Sequence, residues 1–199
     1  MQGTHYYLRR ERSEMRTTLA QIAEKAKAAP NMVFTSIAHH IDSPHLEASF
    51  RKLRRWAASG IDKRSYGDYE QDLATNIEDL HQRLKSGQYQ APSIRRTWIP
   101  KGDGSGKRPL GISTIEDKIV QRAVSDLLTG IYDNDFSTHS YGFRKGKSAQ
   151  QLLMYLRRRS MEYPFRWMID ADIKSCFDSF GHRIILEILK KRVNDGGII

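Results

Sequence analysis

Cysteine is almost absent: Cys176 is the only one in 199 residues. A disulfide framework within the chain is thereby excluded, and no Cys/His spacing resembles a zinc site. The adjacent His39 and His40 would point to different sides of a helix with no cysteine nearby, which makes them structural or exposed. Long apolar runs are missing as well. The opening "MQGTHYYLRR" lacks the apolar segment of a signal peptide, and no window approaches a membrane span. The expectation is a cytoplasmic chain with no membrane partner. Acidic residues are in short supply too, with Asp+Glu at 23 against Lys+Arg at 33, a formal charge of +10.

An excess of that size points to a polyanion, unless it is a solvated basic surface serving solubility. Clustering favours the first reading. Positive residues gather at 9–16, 51–55, 95–96, 101–108, 144–147 and 157–159, several beside Trp56, Trp98, Tyr141 and Phe143. Cations that pair with phosphates next to rings that stack on bases compose a nucleic-acid surface. The length suits one ordinary domain, or one domain with an extension, large enough for a real core.

Apolar periodicity predicts a helix from Ser13 to Ala29, with Met15, Leu19, Ile22, Ala23 and Ala26 on one side and Pro30 beyond its end. A second helix is expected over "SPHLEASFRKLRRWAA", with Ser43 as N-cap, Pro44 in the first turn and Leu46, Phe50 and Leu53 on one face. A third, longer one carries Leu73, Ile77, Leu80 and Leu84 and ends at Gly87. Next, "SIRRTWIPKGDGSGKRPLGI" reads as a β-hairpin with a cationic tip. Helices are then expected over "STIEDKIVQRAVSDLLTGIY" and "AQQLLMYLRRRS", a strand over "FRWMIDADI" and a helix over "HRIILEILKKRV". In the first of these Ile115, Ile119, Ala123, Leu127 and Ile131 form the buried side. The fold class is α+β.

Three motifs carry chemistry. "KGDGSGKRP" is not a P-loop, since three residues rather than four separate Gly102 from Gly106 and Arg108 follows Lys107 where Ser or Thr is needed. A flexible turn explains the glycines but not why Lys101, Lys107 and Arg108 crowd one tip, an arrangement that an anion such as a triphosphate or a nucleic-acid backbone would relieve. "SYGFRKGKSA" sets Tyr141, Phe143, Arg144, Lys145 and Lys147 just before a helix start, which suits a phosphate, although solvated basic loops share that composition. In "WMIDADIKSCFD" a strand would place Asp170 and Asp172 on one face. Such carboxylates either cap the following helix or bind Mg2+.

These residues carry a resemblance. From about Ser59 onward the sequence resembles the reverse transcriptases of group II introns, also called intron-encoded maturases, and related bacterial retroelement enzymes. The blocks "ASGID", "LHQRLKSGQYQAPSIRRTWIPK", "KRPLGISTIEDKIVQRAV", "DFSTHSYGFRKGKSAQ" and "WMIDADIKSCFDSFGH" stand in the family's order. The resemblance implies a right-hand polymerase: a basic helical N-terminal extension over 1–58, fingers over 59–163, and the first strand and helix of the palm over 164–199. It makes Asp172 the catalytic residue and a Mg2+ ligand, with the backbone of Ile173 beside it. Phe177 becomes the aromatic gate against a ribose 2′-OH, and Lys101 and Arg108 the holders of the incoming deoxynucleoside triphosphate. Arg144, Lys147 and Ser148 fall near the template. The implied partners are an RNA template or intron RNA, a DNA primer, deoxynucleoside triphosphates and a second polypeptide completing the palm. Ser175 and Cys176 depart from the family's Gly-Phe, "DSFGH" from its "DNIDH", and "GIDKRS" lacks its Gly-Val-Thr.

Two-metal phosphoryl transfer needs carboxylates from two separate strands, and the family supplies the second set in a Tyr/Phe-x-Asp-Asp turn. No Asp-Asp dipeptide occurs in these 199 residues. The expectation is therefore the N-terminal part of a group II intron reverse transcriptase, inactive as a lone chain. The alternative is a non-enzymatic RNA-binding module that keeps the intron- or template-binding surface.

Overall fold

A computed structural model of the chain describes residues 18–199 apart from 103 and 105. Helix α1 covers 18–28 of the described residues, and the expected helix start at Ser13, with Met15 and the basic cluster at 9–16, lies outside them. A 3-10 turn, Ala38–His40, leads into α2, Ser43–Arg51.

Two expectations for α2 are corrected. Its N-cap is Asp42, whose carboxylate accepts the His45 N–H at 2.9 Å, while the Ser43 hydroxyl donates to Glu78 at 2.8 Å. The helix also stops at Arg51, well before Ala58, because Lys52 and Leu53 close tight three-residue bonds to Ser49 and Phe50 that turn Leu53 back onto the core.

The expected single helix after "SGID" is two, α3 (Tyr66–Gln71) and α4 (Leu73–Lys85). Ser65 and Asp68 form a capping box at the start of α3. The break falls at Asp72, where the Asn76 side-chain amide donates to the Tyr69 carbonyl at 3.0 Å and takes an acceptor out of the helical ladder. Gly87, at φ +70, ends α4 in a left-handed turn that a side chain would resist.

Strands β1 (Arg95–Pro100) and β2 (Lys107–Ile112) pair antiparallel, with Arg95 opposite Ile112 and Pro100 opposite Lys107. Helix α5, Ile115–Tyr132, starts at Thr114, whose hydroxyl accepts the Asp117 N–H. Its buried residues include Ile115, Ile119, Ala123, Leu127 and Ile131, the stripe expected from their four-residue spacing. That stripe serves two cores. Its first half packs with Leu46, Phe50, Tyr66, Tyr69, Ile77 and Leu80, and the Phe50 and Tyr66 rings stack 4.2 Å apart. Its second half packs with Ile22, Ala26, Phe34, Ile37 and Val193.

Helix α6, Ala149–Glu162, buries no residue. The strand expected over "FRWMIDADI" is not formed: residues 164–173 are irregular and exposed. A strand needs a neighbour for its backbone bonds, and among the described residues the one sheet is the β1–β2 pair. A short helix α7, Cys176–Ser179, precedes α8, His182–Lys190. Helix α8 ends before the expected Val193, because Val193 leaves it to bridge Phe34 in parallel. The mixed helix-and-strand class thus holds, and no described helix is long and apolar enough to cross a membrane.

Candidate nucleotide and nucleic-acid interface

The β1–β2 hairpin carries the first group of candidate residues. Its tip turns through Gly104 (φ +71) and Gly106 (φ +130), with the Lys101 N–H donating to the Gly106 carbonyl at 2.8 Å. Lys101, Lys107 and Arg108 are all exposed there, as expected. Register divides the last two: Lys107 is opposite Pro100 and Arg108 opposite Ile99, so the alternation of side chains sends them to opposite faces. An anion engaging Lys107 meets the face of Trp98, and one engaging Arg108 meets the face of Ile99 and Leu110.

The base of the hairpin is braced on "ASGID". Arg95 donates to the Ser59 carbonyl through Nε at 3.1 Å and through Nη2 at 2.8 Å, and Lys118 donates to the Ala58 carbonyl at 2.8 Å. Burial lowers the Lys118 pKa from its ordinary value. Gly60 lies against the start of α5 so closely that a Cβ there would be 2.6 Å from both Thr114 Cα and Thr114 N. Two of the chain's many cations are thus structural, which the charge count could not distinguish from ligand-binding ones.

Loop 133–148 holds the second group, and here the geometry is specific. The Arg144 side chain, 12% exposed, donates to the Asp133 carboxylate at 2.7 Å and to the carbonyls of Asp133, Ser137 and Ser140 at 2.8, 2.9 and 3.2 Å. The Arg144 bond in turn lowers the Asp133 carboxyl below the usual range. Lys147 donates to the Thr138 carbonyl at 3.1 Å and stands 4.8 Å over the Tyr141 ring. Ser148 is the N-cap of α6, in a capping box with Gln151. Arg144, Lys147 and Ser148 therefore come together, and each has protein partners that order the loop. Tyr155 of α6 closes it from outside through a 2.9 Å bond to His139 Nε2.

The third group lies on the irregular stretch and α7. Asp170 and Asp172 are exposed, Ile173 and Phe177 largely so, and Ser175 takes a left-handed φ of 52. Without a strand, alternation does not set the two aspartates on one face. The structure does not bring Asp172 to Lys101 or Arg108 through any hydrogen bond or ion pair among the described residues. Nor does it gather three His, Cys, Asp or Glu side chains into a metal site there. Carboxylate oxygens suit Mg2+, which takes one or two of them with phosphate and water. Their number falls short of two ions, so the described residues do not make a two-metal centre by themselves.

The stretch that carries the cationic hairpin tip, the ordered basic loop and Asp172 has a match: residues 99–195 match the family described as "Reverse transcriptase (RNA-dependent DNA polymerase)". Over this stretch the chain is similar to reverse transcriptases, and its relatives include group II intron-encoded proteins. The chain is 37% identical over 126 residues to Protein YkfC of Escherichia coli K12, covering 62% of this chain and 33% of that protein. It is 35% identical over 119 residues to the group II intron-encoded protein LtrA of Lactococcus lactis, covering 60% and 20%. It is 37% identical over 123 residues to a putative COX1/OXI3 intron 1 protein of Saccharomyces cerevisiae, covering 62% and 14%. The matched stretch is thus about a third or less of the length of these curated relatives.

Proposed function

We propose that the chain contributes the fingers and the opening of the palm to a right-hand polymerase that copies RNA into DNA, as part of group II intron mobility. The single observation that carries this reading is the reverse transcriptase match over residues 99–195. In this reading residues 1–58 are a basic extension, 59–163 the fingers and 164–199 the start of the palm. An RNA template, a DNA primer and deoxynucleoside triphosphates are the partners. Lys101 and Arg108 neutralise the triphosphate, where charge on the transferred group is stabilised by fixed cations. Phe177 blocks a ribose 2′-OH, and the Ile173 backbone lies beside the sugar. Arg144, Lys147 and Ser148 shape the loop that faces the template. Mg2+, when bound, would supply Lewis-acid stabilisation of the phosphates, with Asp172 as one of its ligands. Because residues 1–199 hold no Asp-Asp pair, the remaining carboxylates come from outside them, on further chain or on a second polypeptide.

Primer extension on an RNA template tests this. The 199-residue chain alone is expected to be inactive, and activity is expected when a palm segment bearing an Asp-Asp turn is joined or added, with Asp172→Asn abolishing it. Extension by these residues alone, lost in Asp172→Asn, would sink the half-site reading. Among the described residues Asp172 joins no group of three metal-ligating side chains, while Arg144 and Tyr155 brace loop 133–148, and this favours one second reading, a non-enzymatic RNA-binding module. That reading predicts RNA affinity falling steeply with salt and no extension in any combination.

A further inference from the structure

Phe143 is a fully exposed phenyl ring on a left-handed backbone, φ 56, a conformation that a side chain with a Cβ resists. Glycine occupies the other left-handed position of the loop, Gly146 at φ +76, yet phenylalanine stands at 143. The surroundings hold it there. Arg144, the next residue, binds four acceptors, the Lys147 N–H closes a turn on the Arg144 carbonyl at 3.2 Å, and Tyr155 grips His139. Strain maintained by so many contacts is a reason to ask what the strained residue does. The ring packs on nothing among the described residues, so the strain supports no core there.

The neighbouring charges identify the ligand. Lys145 is exposed and makes no hydrogen bond or ion pair among the described residues, unlike Arg144 and Lys147. An exposed ring two residues from an uncommitted cation matches the base and phosphate of an unpaired nucleotide, because every base has a face to stack and every phosphate a charge to pair. We propose that Phe143 is a stacking platform for an unpaired base of single-stranded RNA, with Lys145 on the adjacent phosphate and Arg144 as the residue that positions the ring. This rests on the nucleic-acid reading above and replaces a general basic surface with one ring in a fixed orientation.

The test is fluorescence anisotropy with a labelled single-stranded RNA of about 20 nucleotides, alongside thermal melting. Phe143→Gly is expected to bind about tenfold more weakly while its Tm stays level or rises, since glycine relieves the backbone. Phe143→Trp is expected to keep the parent affinity and Phe143→Leu to lose it, because leucine is apolar without a face. If the parent binds and Phe143→Gly binds equally well, the platform is overturned and the nucleic-acid reading stands. A Tm loss in Phe143→Gly, or an equal affinity loss on duplex RNA, also overturns it. A parent chain with no RNA affinity overturns both.

Discussion

The guanidinium of Arg192 meets the carboxylate of Asp135 at 2.9 Å, tying the last residues of the chain to the end of α5. The same side chain donates to the carbonyls of Ala26, Ala29, Pro30 and Met32. Three of these lie just past or at the end of α1, where helix carbonyls lack partners of their own. Arg192 is therefore the C-terminal cap of a helix more than 160 positions earlier, supplied from the far end of the sequence.

Arg192→Ala is expected to destabilise the chain by about 3 kcal/mol, because it removes a buried guanidinium and strands several carbonyls at once, besides taking the partner from Asp135. Arg192→Lys should recover only part of the loss, since an ammonium cannot reproduce the fork. Urea unfolding read by circular dichroism measures both, and wild-type stability in Arg192→Ala would show the clasp to be idle.

Gly60→Ala is expected to cost about 1–3 kcal/mol, the range for overpacking, because the new methyl would meet the backbone of Thr114 rather than a side chain that can swing away. Gly67→Ala is the control, with its closest neighbour at 3.9 Å and a helical position that favours alanine. A thermal melt in which the two variants lose equally would contradict the close approach.

Acid should reach Asp126 late. Burial pushes its carboxyl up, but the contacts of His45 and Lys52 and the charges of Lys52 and Arg122 outweigh this and hold it down at about 2, against an ordinary 3.8. A depressed carboxylate contributes stability above its unfolded pKa and loses it as pH falls through the folded one. Asp126→Asn should therefore be less stable than the parent at neutral pH, with the gap closing between about pH 4 and pH 2. Denaturant midpoints across that window are the readout, and a gap independent of pH would remove the charge from the account.

Regular repetition made much of this legible in advance. The stripe of α5, the hairpin and the end of α4 at Gly87 all follow from spacing or from single residues with strong backbone preferences. The break at Asp72 has no such signature, because it depends on the bond from Asn76 to the Tyr69 carbonyl. Ser43 and Asp42 are both good N-caps in adjacent positions, and only geometry separates them. The run "FRWMIDADI" has strand composition, but composition cannot furnish the neighbouring strand that it needs. At the site, the exposed cations of the hairpin tip were readable from crowding. The inward engagement of Arg144 was not, since its four acceptors include three backbone carbonyls that carry no sequence signal.

The division of α5 between two cores also sets an order of assembly. The first core draws its buried residues from 46 to 123, so all of them are made before residues 193–195 exist. The second includes Val193 against Phe34, and Asp195 reaches back to the backbone of Ala38, 157 positions away. Closing a loop of that length carries its entropic cost in one late step. During synthesis Leu127 and Ile131 can meet Ile22, Ala26, Phe34 and Ile37 early, and Val193 is the piece of the second core that arrives late.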